Sequence, residues 1–303
     1  MDFLKKLFQK KPKVVKVDID KRFELLGQAG QGSMSKTWRA RDSASGREVV
    51  IKVLDRIKTR KLESRFPPQL NKPTEGEIAV QLKHPNIVNT LEYGITSNDE
   101  QFLVMDYIEG ESLAFLIDMQ HELLRKNRLG IIVQLGEALA YFHREGWIHR
   151  DLCPRNVLIT HDAEVKLIDF GLVVPNTPPF QAPGNRTGTA NYMAPELIKR
   201  QKTDQRIDVF SFAVTCFEMF TRELPWDTGE TLESVLHHIN QPPRDIRERC
   251  PGIDEEVAAA IMKGLERDPR DRWQSVTEML LPIRKTRERL HRKARRRRKP
   301  KPE

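Results

Sequence analysis

Cysteine is scarce in this chain. It has three, Cys153, Cys216 and Cys250, an odd number with no spacing that suits a disulfide framework or a tetrahedral metal site. A reducing, cytoplasmic compartment is the reading that fits. Long apolar runs are lacking as well: the longest covers six residues, 257–262, against the ~18 that a membrane-spanning helix needs. No apolar stretch near Met1 ends in a small-residue cleavage site, so secretion is not expected. Internal repeats are absent. What is present is a chain of 303 residues, 38% hydrophobic and 31% charged, too apolar for a disordered protein and long enough for two domain-sized cores.

The net charge of +9 is unevenly placed. Residues 284–303 carry twelve Lys and Arg against Glu288 and Glu303, and residues 1–18 carry six Lys against Asp2 and Asp18, which leaves residues 19–283 at −5. The basic character therefore belongs to the ends and not to the globule, and sequence-specific nucleic-acid recognition is not expected. Residues 1–18 read as a basic leader and 284–303 as a solvated, unstructured tail. Either could meet an anionic membrane surface or another acidic partner, which leaves peripheral membrane association open. Phe3, Leu4, Leu7 and Phe8 share one helical face, opposite lysines, in a segment too short to anchor by itself.

Between residues 22 and 105 the pattern is β-rich, with runs at 22–26, 37–40, 48–54 and 101–105 and one helical stretch at 75–82. From residue 112 the period becomes helical. Leu129, Ile132, Val133, Gly136, Ala140 and His143 keep a 3.6-residue spacing, and Gly146 closes that helix. Two short strands follow at 157–159 and 164–168. Residues 207–220 are apolar on nearly every side apart from Asp208, Ser211, Thr215 and Glu218, as in a helix buried in a larger core.

Gly27, Gly30 and Gly32 lie between the first two strands, where a glycine-rich backbone can approach phosphate oxygens and offer them N–H groups. A plain turn is the alternative. Lys52, 22 residues after Gly30, alternates with apolar neighbours, a pattern that also suits a snorkelling surface lysine. What decides between these readings is downstream: His149-Arg150-Asp151 with Asn156, then Asp169-Phe170-Gly171, then Ala194-Pro195-Glu196.

In this order and spacing the chain resembles a eukaryotic-type, or Hanks-type, serine/threonine protein kinase over about residues 22–280. The resemblance implies an α+β bilobal fold, a small antiparallel N-lobe at 19–105, a hinge at 106–110 and a helical C-lobe at 111–283. It implies transfer of the γ-phosphate of Mg-ATP, with Mn²⁺ as a substitute ion, to Ser/Thr hydroxyls of protein substrates that include the kinase itself. Gly27, Gly30, Gly32, Ser33 and Ser35 would form the phosphate loop. Lys52, paired with Glu75 or failing that Glu77, would hold the α- and β-phosphates. Asp151 would orient the acceptor hydroxyl, and Asn156 and Asp169 would bind metal. Val50 and Met105 would border the adenine, and the backbone of Asp106 and Ile108 would hydrogen-bond it. Glu196 and Arg272 would form a structural ion pair, and Asp208 would cap the catalytic-loop backbone. Thr189 would sit beside Asp151, and Thr187 is the phosphorylation candidate, with Arg150 as the arginine to receive its phosphate.

The chain departs from the family at four places. Ser35 replaces the third glycine of the loop, and Val50 an alanine. Cys153 stands where these kinases carry a lysine on the γ-phosphate, and Arg155, four residues after Asp151, is placed to supply part of the missing charge. The alternative is a pseudokinase scaffold that binds nucleotide weakly or not at all.

Overall fold

A computed structural model describes residues 16–31, 34–184, 186–227 and 240–298. The chain divides into two compact units, residues 1–83 with 89–107 and residues 84–88 with 108–303.

The first unit is built on a six-stranded sheet of β1 (Lys16–Val17), β2 (Phe23–Gln31), β3 (Ser35–Asp42), β4 (Glu48–Leu54), β5 (Thr90–Thr96) and β6 (Gln101–Asp106), in the order β1-β5-β6-β4-β3-β2. All pairs are antiparallel except β1 with β5. Side chains alternate across a strand, so Val49 and Ile51 of β4 join Phe23, Ala40, Phe102 and Val104 in a core on one face. Val50 and Lys52 take the other face, opposite Met105 and Leu103 in register. The first strand outruns the expected 22–26 and continues through Gly27 and Gly30. Register shifts between Leu25 and Gly27 and between Gln28 and Gly30 mark two irregularities in which the glycines are absorbed into the sheet. Two helices follow β4: α1 (Arg56–Glu63), capped by the Asp55 side chain on Lys58 N, and the single-turn α2 (Glu75–Ala79). The latter stops short of the expected residue 82.

The second unit is mainly helical. Its long elements are α3 (Leu113–Asp118), α4 (Glu122–Arg144), α5 (Arg206–Thr221), α6 (Glu255–Gly264) and α7 (Val276–Arg298). Short strands β7 (Gly110–Ser112), β9 (Val157–Thr160) and β10 (Val165–Leu167) form one sheet, and β8 (Trp147–Ile148) pairs with β11 (Val174–Pro175). As the pattern predicts, α5 is buried almost all round, and its polar residues are bonded within that core. Ser211 Oγ donates to Tyr192 O at 2.7 Å and Thr215 Oγ1 to Ser211 O at 2.9 Å. Helix α7 packs against α4 and α6, and Gly136 on α4 makes room for it: a Cβ there would come within 2.7 Å of the Leu280 side chain.

Helix α7 corrects the expectation of an unstructured tail from residue 284. The helix runs unbroken through Arg284 to Arg298. Arg284 Nη2 lies 2.9 Å from Glu137 Oε1, Arg289 bonds Asp254, and Thr286 is fully buried with its hydroxyl 3.0 Å from Glu256 Oε2. The acids that neutralise this stretch, Glu137, Asp254 and Glu256, lie 29 or more residues away in sequence, so counting charge locally hides them. The apolar face drawn for residues 3–8 lies outside the described residues, as do Gly32 and Ser33.

Candidate active site

The candidate site residues fall into two groups, one in each unit. In the first, Lys52 is 7% exposed and its Nζ lies 2.6 Å from Glu75 Oε1, itself 8% exposed. Lys52 is therefore not a snorkelling residue. The choice between the two candidate glutamates is made by capping. Thr74 caps α2 and forms a capping box with Glu77, whose Oε2 accepts from Thr74 N at 2.8 Å and from Thr74 Oγ1 at 3.1 Å. That box occupies Glu77 at the helix start and leaves Glu75, two residues earlier, to pair with the lysine. On the same sheet face, Val50 lies opposite the buried Met105. Asp106 N–H is already committed to Asn89 O at 3.0 Å, and its carboxylate is bonded by Arg47 at 2.9 Å. Ile108 follows, half-buried, outside any regular element. Gly27 and Gly30 are exposed, and Ser35 begins β3.

In the second unit, Asp208 on α5 is fully buried and holds the catalytic loop by its backbone. Its Oδ2 accepts from His149 N at 2.7 Å, its Oδ1 from Arg150 N at 2.8 Å, and His143 Nε2 closes the set at 2.9 Å from Oδ2. Burial alone would push this carboxyl up, but these hydrogen bonds and the neighbouring histidines hold it below the ordinary aspartate range. Arg150 takes a left-handed backbone, φ 69°, and burial pushes its guanidinium down to about 10. His149 stacks edge-on between Phe142 and Phe170, with ring centroids at 5.3 and 6.4 Å, so both His149 and Phe170 serve as packing groups.

Asp151 follows directly. Its Oδ1 accepts two hydrogen bonds from Thr189, from N and from Oγ1, each 2.7 Å. Asn156 Nδ2 donates to Asp151 O at 2.9 Å and reaches Oδ2 at 3.3 Å. Burial raises the Asp151 carboxyl, an effect that Thr189 opposes. Gly188, at φ 138°, lets Thr189 come this close: a Cβ there would meet Arg150 O at 2.8 Å. Cys153 is buried with Sγ 3.8 Å from Thr189 Oγ1, and burial pushes its thiol up, the opposite of what a redox-reactive cysteine needs. Arg155 is exposed on the 3₁₀ turn Pro154–Asn156. Asp169 Oδ1 accepts from Gly171 N at 3.0 Å.

Around this loop the scaffold is closed by ion pairs. Arg272, fully buried, grips Glu196 with two bonds of 2.6 and 2.7 Å, and three carbonyls take its remaining donors. A second link, Tyr192 Oη to Glu218 Oε2 at 2.6 Å, was not anticipated. The signal for it was present, since Glu218 is one of four polar residues on an otherwise apolar helix. Thr187, the phosphorylation candidate, is 7% exposed and so is sheltered in this conformation.

The profile of the protein kinase domain family matches residues 23–281. A probable serine/threonine-protein kinase of Clostridium perfringens is 32% identical over 265 residues, covering 86% of this chain and 37% of the relative. One from Streptomyces coelicolor is 30% identical, covering 86% and 39%, and the serine/threonine-protein kinase PrkC of Bacillus subtilis is 28% identical, covering 86% and 40%. The chain thus spans about two fifths of the length of these curated relatives.

Proposed function

The chain belongs to the protein kinase family, and from that premise we propose that it transfers the γ-phosphate of ATP to serine and threonine hydroxyls of proteins, its own included. The observation that carries this reading is the Asp151 carboxylate, held by Thr189 on one oxygen and approached by Asn156 on the other. A carboxylate so fixed can orient an acceptor hydroxyl and take up its proton. Thr189 and Asn156 position it, and Asp208 keeps the loop behind it in register. Lys52, oriented by Glu75, supplies a fixed ammonium for phosphate oxygens.

The donors suit a hard divalent ion. Asp169 offers a carboxylate, and Asn156, whose amide nitrogen is turned to Asp151, keeps its amide oxygen for a metal. No cluster of three or more acidic, His or Cys ligands occurs among the described residues, which fits Mg²⁺, an ion that keeps its waters and takes one or two protein oxygens, or Mn²⁺ in its place. When bound, such an ion neutralises charge on the phosphates. Arg155 adds an exposed guanidinium four residues after Asp151 and supplies part of the charge that the neutral Cys153 cannot.

A nucleotide-poor scaffold is the competing reading, favoured by that buried thiol in the lysine's place. Radiolabelled ATP decides between them. Wild type transfers label to a generic basic protein, and Asp169→Ala does not; equal background in both leaves the scaffold.

A further inference from the structure

A cavity of about 480 Å³ opens in the second unit, where the first turns of α4, the segment ahead of α6 and the C-terminal part of α7 come together. No residue of the catalytic loop lines it. Its polar wall is rich in cations, with Arg125, Lys126 and Arg128 from α4 and Arg287 from α7, and His291 lies beside them. Arg287 faces α4 across this space, its Nε and Nη2 each 3.8 Å from where a side chain on Gly130 would begin.

Counter-charge is short around these cations. Asp254, the single carboxylate in the wall, already accepts from Glu256 N, Thr286 Oγ1 and Arg289. Lys126 is paired with Glu122 at 2.8 Å. The side chains of Arg125, Arg128 and Arg287 form no hydrogen bond or ion pair with any described residue. Arg128 is the most telling of the three: its guanidinium lies 4.6 Å from the Phe220 ring centroid, and its Nε is buried with no hydrogen-bond partner. Burial pushes that guanidinium down, Arg125 adds to this, and Cys250 acts against it. Like charges gathered together repel, and a half-buried cation such as Arg128 without an acceptor is costly.

We propose that this cavity binds a compact phosphate-bearing anion, free in solution or presented as a lipid headgroup. The volume lies within the range of ordinary ligand sites. Guanidinium forks from two helices match phosphate oxygens in pairs, and the Phe220 ring and Leu290 offer an apolar wall for whatever bears the phosphates. The site is independent of phosphoryl transfer, and its test reads binding alone.

The test is calorimetric titration of the full chain with inorganic tripolyphosphate in metal-free buffer, beside flotation with phosphatidylcholine vesicles with and without phosphatidic acid. Each charge-assisted contact contributes about tenfold to affinity, so Arg125→Glu with Arg287→Glu should weaken tripolyphosphate by roughly 100-fold at an unchanged melting temperature. Arg287→Gln, a milder change should the pair misfold, should cost about tenfold. Lys52→Ala, which removes the other candidate phosphate-binding cation, should bind as wild type does. Flotation that requires phosphatidic acid and is competed by tripolyphosphate assigns a lipid headgroup; tripolyphosphate binding without flotation assigns a soluble ligand. No tripolyphosphate binding, binding untouched by the arginine variants, or binding lost in Lys52→Ala alone would overturn the proposal.

Discussion

Asp208→Asn tests whether the catalytic loop is held from behind. In the parent, the carboxylate accepts the N–H groups of His149 and Arg150 at 2.7 and 2.8 Å in a fully buried setting. Hydrogen bonds to a charged group contribute about 1.5–3 kcal/mol each, so the two together supply roughly 3–6 kcal/mol. Against them stands the left-handed backbone of Arg150, φ 69°, a conformation that costs a non-glycine residue about 1–3 kcal/mol. The anchor therefore exceeds the strain by a margin that one bond alone does not provide. An asparagine keeps a single acceptor oxygen and turns an N–H₂ toward the second backbone N–H. The expected loss is about 3 kcal/mol of unfolding free energy, read from the urea midpoint at constant m-value, together with a large fall in phosphoryl transfer as Asp151 loses its register. There is also a pH signature. Because the folded Asp208 carboxyl lies below its ordinary value, its contribution is fully present above pH ~4 and is lost as pH falls through the folded pKa. The variant should therefore lose less stability than the parent on acidification. An unfolding free energy within about 1 kcal/mol of the parent, with activity intact, would refute the reasoning.

Three further outcomes follow from the same geometry. Glu196→Gln strands the Arg272 charge in the core and should cost about 3–5 kcal/mol, whereas the double variant Glu196→Leu, Arg272→Met should recover much of that; equal melting temperatures for the single variant and wild type would remove the pair from the scaffold. Deleting residues 284–303 should lower the melting temperature, because it removes the buried Thr286 and the Arg284–Glu137 and Arg289–Asp254 bridges; an unchanged melt would return this stretch to the status of a solvated tail. Cys153→Lys should transfer phosphate faster than wild type and Arg155→Ala more slowly, both read as kcat, and a wild-type rate in Arg155→Ala would show that the arginine compensates for nothing.

The proposed catalytic groups stand out in the sequence because each lies in a short run of fixed chemistry: Lys52 on a strand, Asp151 and Asn156 five residues apart, Asp169 before Phe-Gly. Strands β2, β3, β4, β6, β9 and β10 and the long helices α4 and α5 were legible from the residue pattern, whereas β5 (Thr90–Thr96) was not. Glu75, the first choice as partner of Lys52, is the residue that pairs with it, and the capping box occupies Glu77. Two features were hidden, each for a physical reason. The Tyr192–Glu218 link joins residues 26 apart, and neither reads as a partner until α5 passes beneath the loop. Residues 284–298 look like a solvated charge run because their neutralising acids, Glu137, Asp254 and Glu256, belong to other helices. Local rules fail where the partner of a charge is distant in sequence.

The central claim, that this chain is a working kinase despite Cys153, is tested most directly by intact-mass and peptide mass spectrometry of the purified protein after incubation with Mg-ATP, beside Asp151→Asn. The account predicts phosphate on serine or threonine in the wild-type sample, both on the chain itself and on an added basic protein, and none in Asp151→Asn. Unmodified chain and unmodified substrate in both samples, from protein with a normal cooperative melt, would contradict it.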